Sequence, residues 1–427
     1  MATPLIQLHP QTPSNEGRHY YPTLLGSLNH RVRNTGHLKA NVVVQTHRLG
    51  TSRIPRGVFD RVIETSGGAN NASTSPDRTN YYESGPANML EPFLFLEADR
   101  MKSLGPDMDL AGLDQEREVV RNERRERFEI QPYGQAFIEM WPLMYPKGHP
   151  YFEPVIGSHE DLESASLDDV KSFFAKYYVP ANCCLVVAGD FDPADARRWI
   201  EQYFGVIPAK AAPPRTRAEP VTLESEVRKA LEDDVQLART YMLYHSPAFY
   251  EPGDADLDIV ASVLGQDKTS FLYRRLITEK QMATEVVMFQ RSMELGSNLV
   301  VIATARPGVT LDALEKEIDA AIDEFLATPL EQEEVDRARS GLEVSFWHGA
   351  EALSERADLL NHYQYHFGDA GAIGRDMERY HSVTPESAME WGRRILGQKG
   401  RVVLRVVPKP KDVSEKAGSN KNGKTSS

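Results

Sequence analysis

A helix–turn–strand order closes both halves of this 427-residue chain, and that recurrence constrains the fold more than any other feature. In the first half, Ser166-Leu167-Asp168-Asp169 is a capping-box-like start to a helix that ends before Pro180. The apolar run Cys184 to Ala188 then reads as a strand, and Asp192-Pro193 opens the next helix. Near the end of the chain another helix runs into a strand over Val402 to Val407. Earlier, Val58, Phe59, Val62 and Ile63 fall at helical spacing and Gly67-Gly68 stops that helix. Asn70 to Tyr82 reads as two extended segments around a turn at Ser75-Pro76-Asp77, followed by helices over Met89 to Met101 and Leu110 to Phe128. Past a Pro-rich, basic stretch at 211–220, a strand includes Tyr241 to Tyr244, and a helix passes through Leu257, Val260, Ala261 and Leu264. Glu285 to Gln290 and Leu299 to Ala305 read as paired strands. Leu314, Ile318, Ile322 and Phe325 form one apolar helical stripe, and a further helix covers Glu331 to Trp347. The pattern predicts two copies of one α+β unit, at 50–210 and 221–410, joined by a linker at 211–220 and followed by a disordered tail at 411–427.

Composition narrows the function classes. A formal net charge of −13 lacks the basic footprint of a nucleic-acid partner. No window holds the roughly 18 apolar residues of a membrane span. Met1 is followed by neither a basic start nor a long apolar run, so the expected compartment is cytoplasmic by default, or periplasmic if an export signal belongs upstream. The two cysteines, Cys183 and Cys184, are adjacent; strand neighbours point to opposite faces, so they read as core thiols and not as a disulfide.

Residues 1–49 differ from the rest. They hold one acidic residue, Glu16, of the chain's 62, no Phe, and five of the twelve histidines: His9, His19, His30, His37 and His47. Val42 to Val44 is the one convincing strand-like patch. Disordered arms are usually rich in Glu, Ser and Lys, the reverse of this composition. A disordered arm, a divergent first layer of the fold and a stretch translated in the wrong frame are the three readings.

The residues that point to chemistry lie on the helix around Val120. Glu116 and Glu123 are seven apart and return to nearly the same face, close to Val119 and Val120. Carboxylates beside apolar neighbours call for a cation. A metal would serve, and so would Arg117, Arg121 and Arg124.

Several ordered strings then resemble the pitrilysin/insulinase family of zinc metallopeptidases, and within it the small-subunit branch that includes mitochondrial processing peptidase and its bacterial relatives. They are Gly50-Thr51, Gly67 to Ser75, Asp77 to Tyr82, Leu96-Glu97-Ala98-Asp99-Arg100-Met101, Val119-Val120 with Glu123, His149-Pro150-Tyr151, Ile156-Gly157, Tyr178-Val179-Pro180, Ala188-Gly189-Asp190-Phe191, Phe204-Gly205, and Leu264-Gly265 through Gln281. The resemblance spans roughly 50–408. It implies two similar domains, each a mostly antiparallel sheet with helices packed on one face, and paired homologous subunits, alike or different, that enclose an unfolded peptide. It also implies a zinc site of H-x-x-E-H plus a later Glu, in which zinc polarises the scissile carbonyl and the motif Glu activates water. Glu123 matches that later metal ligand and Glu116 a supporting acidic position. Asn71, Ala72, Ser73 and Thr74 match the edge strand that takes the substrate backbone by strand addition.

The chain departs from the family at the motif itself. Counting back from Gly50 places the three motif positions on Asn41, Val44 and Gln45, and H-x-x-E-H occurs nowhere else. One carboxylate cannot hold catalytic zinc, so the family's zinc is not expected on the chain as written, and no catalytic residue is assigned. His362 and His366 have the i, i+4 spacing of a helical metal pair, without a preceding Glu or an evident third ligand. Three functions follow: a zinc endopeptidase whose written N-terminal stretch is faulty and therefore inactive, a non-catalytic peptide-binding subunit beside an active homologue, or a structural scaffold subunit of a larger complex.

Overall fold

In the computed structural model, residues 50–410 are described, together with the strand backbones of 6–10 and 23–30. The first half supplies β1 (Ile6–Pro10), β2 (Thr23–His30), β3 (Ala69–Thr74), β4 (Thr79–Pro86) and β5 (Cys183–Gly189), in the order β1-β5-β2-β4-β3. The second supplies β6 (Val227–Asp233), β7 (Arg239–Ser246), β8 (Ala283–Arg291), β9 (Ser297–Ala305) and β10 (Val402–Pro408), in the order β6-β10-β7-β9-β8. Replacing each strand by its counterpart turns one order into the other. In both sheets the first and last strands pair in parallel and every other pair is antiparallel. The α+β repeat expected from the helix–turn–strand order is therefore a repeat of topology.

Within 1–49 the expected strand patch was Val42 to Val44, which lies outside the described residues, as do the tail at 411–427 and the motif positions Asn41, Val44 and Gln45. The described strands of this stretch are Ile6–Pro10 and Thr23–His30, in register with β5 on either side of it. Their partners are set by long-range pairing, which local periodicity does not report.

The helices of the first half are α1 (Val58–Thr65), α2 (Leu90–Asp107), α3 (Leu110–Arg124), α4 (Gly134–Met144), α5 (His159–Ser164), α6 (Leu167–Tyr177) and α7 (Pro193–Phe204). Those of the second are α8 (Asp254–Ala261), α9 (Phe271–Tyr273), α10 (Leu311–Ala327), α11 (Gln332–Ala350), α12 (Leu353–Phe367), α13 (Ile373–His381) and α14 (Pro385–Leu396). The capping signals act as read: Ser166 and Asp169 close a capping box, and Asp192 accepts from the amides of Ala194 and Asp195 ahead of Pro193. The helix expected over Leu110 to Phe128 is α-helical only to Arg124. Arg125–Glu129 widen into i→i+5 turns, with the Ile130 amide on the Arg125 carbonyl.

Each unit packs its own helices on one face of its sheet. Leu185 and Val187 meet Ile63, Leu90, Phe93 and Ile200, whereas Met242, Val301 and Val403 meet Leu257, Leu314, Ile318 and Ile395. The opposite faces are exchanged between halves. α4 lays Ala136, Met140, Trp141 and Met144 on Tyr241, Val300, Ile302 and Leu404 of the second sheet. α12 lays Leu353, Ala357 and Leu360 on Val186 and Ala188 of the first. Residues 208–223, which connect the halves, form neither helix nor strand.

Candidate functional site

The site is built from the β3–β4 hairpin and α3 beneath it. β3 is the last strand of its sheet and, among the described residues, pairs only with β4: Asn71 opposite Tyr82, Ala72 opposite Tyr81, Ser73 opposite Asn80 and Thr74 opposite Thr79. Asn71 and Ser73 are exposed, whereas Ala72 and Thr74 are half-buried, the alternation of a strand with one wet face. Ala72 packs against the cluster that contains Leu113 and Val120 of α3, so the strand edge and the carboxylate helix adjoin. The Ala72 amide donates to its neighbour Asn71 Oδ1 at 2.8 Å and is not spent on β4. It is the group an incoming strand would take over.

On α3 the periodicity holds. Leu113, Glu116 and Val120 are buried along one face, and Glu123 lies on the same face one turn on, its side chain 11% exposed. Glu116 is fully buried. Glu123 pairs with Arg127 at 3.0 Å, one turn further along. The arginines expected to answer these carboxylates do other work. Arg117 holds the Leu162 and Ala165 carbonyls, Arg121 meets Glu118 and Glu163, and Arg124 holds Glu129 and the Gly157 carbonyl. They fix α3 to the 157–165 stretch.

The lead-in to α1 is anchored just after the stretch where the resemblance puts the metal motif. Thr51 Oγ1 donates to Asp99 Oδ2 at 2.5 Å, and the Ser52 amide to Asp107 Oδ2 at 2.7 Å. Gly50 is required there, because a Cβ would lie 2.4 Å from the Arg56 nitrogen and 2.9 Å from the Ile54 oxygen. The Leu96–Met101 string carries a buried charge cluster that sequence reasoning did not resolve. Arg100 pairs with Glu97 and lies 3.7 Å from the Tyr81 ring, and the Tyr81 and Tyr178 hydroxyls share a hydrogen bond of 2.6 Å. Glu83 on β4 joins it. Burial and the adjacent Glu97 hold its carboxyl well above the usual range. The only sequence signal was the clustering of these residues in the matched strings.

The hairpin tip is clamped to the second half. Arg78 makes a bidentate pair with Asp358 of α12 at 2.6 and 2.9 Å, and Asn80 donates to the same carboxylate at 3.1 Å. Asp77 accepts from the Glu294 amide at 3.1 Å and from the Tyr151 hydroxyl, which in turn accepts from the Leu295 amide at 3.0 Å. His149-Pro150-Tyr151 thereby belongs to the seam between halves.

The residues described do not make a zinc site. Catalytic zinc takes three protein ligands, and among the described residues no group of three His, Cys, Asp or Glu converges. The rival pair is committed elsewhere: His362 and His366 stack 4.5 Å apart against Phe249 and Tyr250, and the Tyr250 hydroxyl meets His362 Nε2. Burial lowers the His362 pKa to about 4. Cys183 and Cys184, read as core thiols, are half-buried and form no disulfide among the described residues. Among the described residues no helix is long and apolar enough to cross a membrane.

Known proteins share this arrangement. The Peptidase M16 inactive domain matches residues 164–342. The zinc protease PqqE of Helicobacter pylori is 29% identical over 342 residues, covering 79% of this chain and 76% of the relative. The mitochondrial-processing peptidase subunit beta of Lentinula edodes is 21% identical over 256 residues, covering 57% and 54%. Among solved structures, a protease from Helicobacter pylori superposes with a TM-score of 0.84 at 23% identity over 94% of this chain and 96% of the other. A peptidase M16 inactive domain from Pseudomonas fluorescens gives 0.80 at 16% identity over 95% of each. With the sheet topology and the matched strings, these likenesses support the resemblance to the pitrilysin/insulinase family of zinc metallopeptidases.

Proposed function

We propose that this chain is a peptide-binding member of its family that holds an unfolded peptide as an added strand along β3 and, as written, does not hydrolyse it. The observation that carries the reading is the open edge of Asn71, Ala72, Ser73 and Thr74, packed directly over the face of α3 that bears Glu116 and Glu123. Strand addition takes affinity from backbone hydrogen bonds, so many sequences are accepted in extended form. Glu123 is the position a family zinc would use and Glu116 its support. The H-x-x-E-H positions fall on Asn41, Val44 and Gln45, which offer neither an imidazole pair nor a general base. The organisation that goes with this reading is two domains at 50–210 and 221–410 with a linker at 211–220.

The test titrates the purified full chain with a fluorescent unfolded peptide. Saturable binding without cleavage, and less than stoichiometric zinc by metal analysis, are expected. Chelator-sensitive hydrolysis by the chain alone would overturn the reading.

A second reading is pairing with a homologue that carries H-x-x-E-H. It is supported by relatives named as subunits of mitochondrial-processing peptidase. Cleavage that arises only when such a homologue is mixed with this chain would favour it.

A further inference from the structure

Several shielded arginines among the described residues are answered by carboxylates. Arg100 has Glu97, Arg379 has Asp254 and Asp376, Arg401 has Asp319 and Glu226, and Arg405 has Asp312 and Glu315. Arg291 is not. It ends β8, the edge strand of the second sheet, and its side chain is half-buried at the seam between the halves. Its polar contact is Nη1 to Met140 Sδ at 3.4 Å, a weak acceptor, and its guanidinium lies 5.6 Å from the Trp141 ring. No carboxylate reaches ion-pairing distance of it among the described residues. Desolvation lowers its pKa. A guanidinium has five N–H donors in a planar fork, and holding it out of water without a counter-charge is costly.

Arg291 adjoins the hairpin of the proposed peptide site. Trp141 lies edge-on to Tyr151 at 6.3 Å, and the Tyr151 hydroxyl reaches Asp77 at the tip of the β3–β4 hairpin. Three residues after Arg291, the Glu294 amide donates to the same Asp77. Packed aromatic side chains thus link the hairpin tip to a guanidinium that has no carboxylate partner among the described residues.

We propose that Arg291 is a carboxylate-binding residue that anchors a peptide by its C-terminal carboxylate or by an acidic side chain, with Trp141 as the flat wall of the subsite. The inference rests on the peptide-binding reading, and it deepens that reading by adding a charge requirement that backbone pairing alone does not impose. A bidentate, charge-assisted pair in a desolvated recess is worth about tenfold or more in affinity.

The experiment uses the full chain and Arg291→Met, a substitution close in length and apolar beside Met140 and Trp141. Because it removes a half-buried charge that has no carboxylate partner among the described residues, its melting temperature is expected to equal or exceed that of the parent. Binding of N-acetyl-alanyl-leucine and of its C-terminal amide is followed by tryptophan fluorescence. The free acid should bind the parent at least about tenfold more tightly than the amide, and R291M should abolish that difference. Longer unfolded peptides are compared as free acid against amide, and with an internal Glu against Gln. These arms tell a chain terminus from an acidic side chain. Equal binding of acid and amide by the parent, or equal loss of both on R291M, overturns the proposal. If long peptides bind without regard to charge, β3 pairing stands and Arg291 falls. If the short acid binds selectively but no long peptide does, Arg291 stands and the β3 reading falls.

Discussion

His245 and His362 show how far burial alone moves a titratable group here. His245 donates from Nε2 to the Met144 carbonyl at 2.8 Å, and burial, opposed by that bond, lowers its pKa to about 4; His362 reaches a similar value against Tyr250. Both are neutral in the folded protein at pH 7. A depressed folded-state value means that the unfolded chain binds protons first as pH falls. The stability is therefore complete above about 6.5 and is lost between about 6.5 and 4, by about 2 kcal/mol per histidine at pH 5. Asp258 works in the opposite sense: burial and Asp254 push its pKa up to about 7, so its destabilising effect is relieved as pH falls. The histidine part is isolated by comparing the parent with His245→Gln. The variant should lose less stability between pH 7 and pH 5 in chemical denaturation, and an unchanged difference would refute the assignment. At this scale, sequence reasoning recognised the His362–His366 spacing but not its use. The spacing is equally good for a metal and for stacking, and only Phe249 and Tyr250, more than a hundred residues away, decide between them.

Among elements, the β3–β4 hairpin was legible in advance and its use depends on one amide. The Thr/Ser/Asn-rich run, with a turn at Ser75-Pro76-Asp77, delimited β3 and the start of β4 to within a residue or two, whereas β4 runs four residues past the expected end at Tyr82. That β3 is an edge was implied only by the family resemblance, because strand order is set by long-range pairing and leaves no local signal. Ala72→Pro removes the outward N–H, and proline is tolerated on an edge strand, so the ladder to β4 survives. Peptide affinity is expected to fall at least about tenfold while the melting temperature drops by only a few degrees. Unchanged affinity in the same titration would remove β3 from the site. On α3, the seven-residue return of Glu116 and Glu123 to one face was readable from helical geometry. Their unequal burial was not, since Arg117, Arg121 and Arg124 turn out to fasten the 157–165 stretch.

For the whole molecule, the exchange of α4 and α12 makes the halves interdependent. Each sheet has one face covered by its own helices and the other by a helix from the opposite half. Cutting the 211–217 segment should therefore leave a single particle in size-exclusion chromatography that still melts in one transition. Separation into two folded halves would contradict the exchange. Residues 221–410 expressed alone should aggregate, because Tyr241, Val300, Ile302 and Leu404 lose their cover. By itself the sequence determined the α+β repeat, the family resemblance, the helix boundaries set by Ser166, Asp169 and Pro193, and the absence of H-x-x-E-H, because these are local patterns of periodicity, capping and motif. Only the tertiary structure decided that both sheets share one strand order, that α4 and α12 change places, and that Arg291 faces no carboxylate among the described residues. Each of these is a relation between segments far apart in the chain, which is fixed by packing and pairing and leaves no periodic trace in either segment.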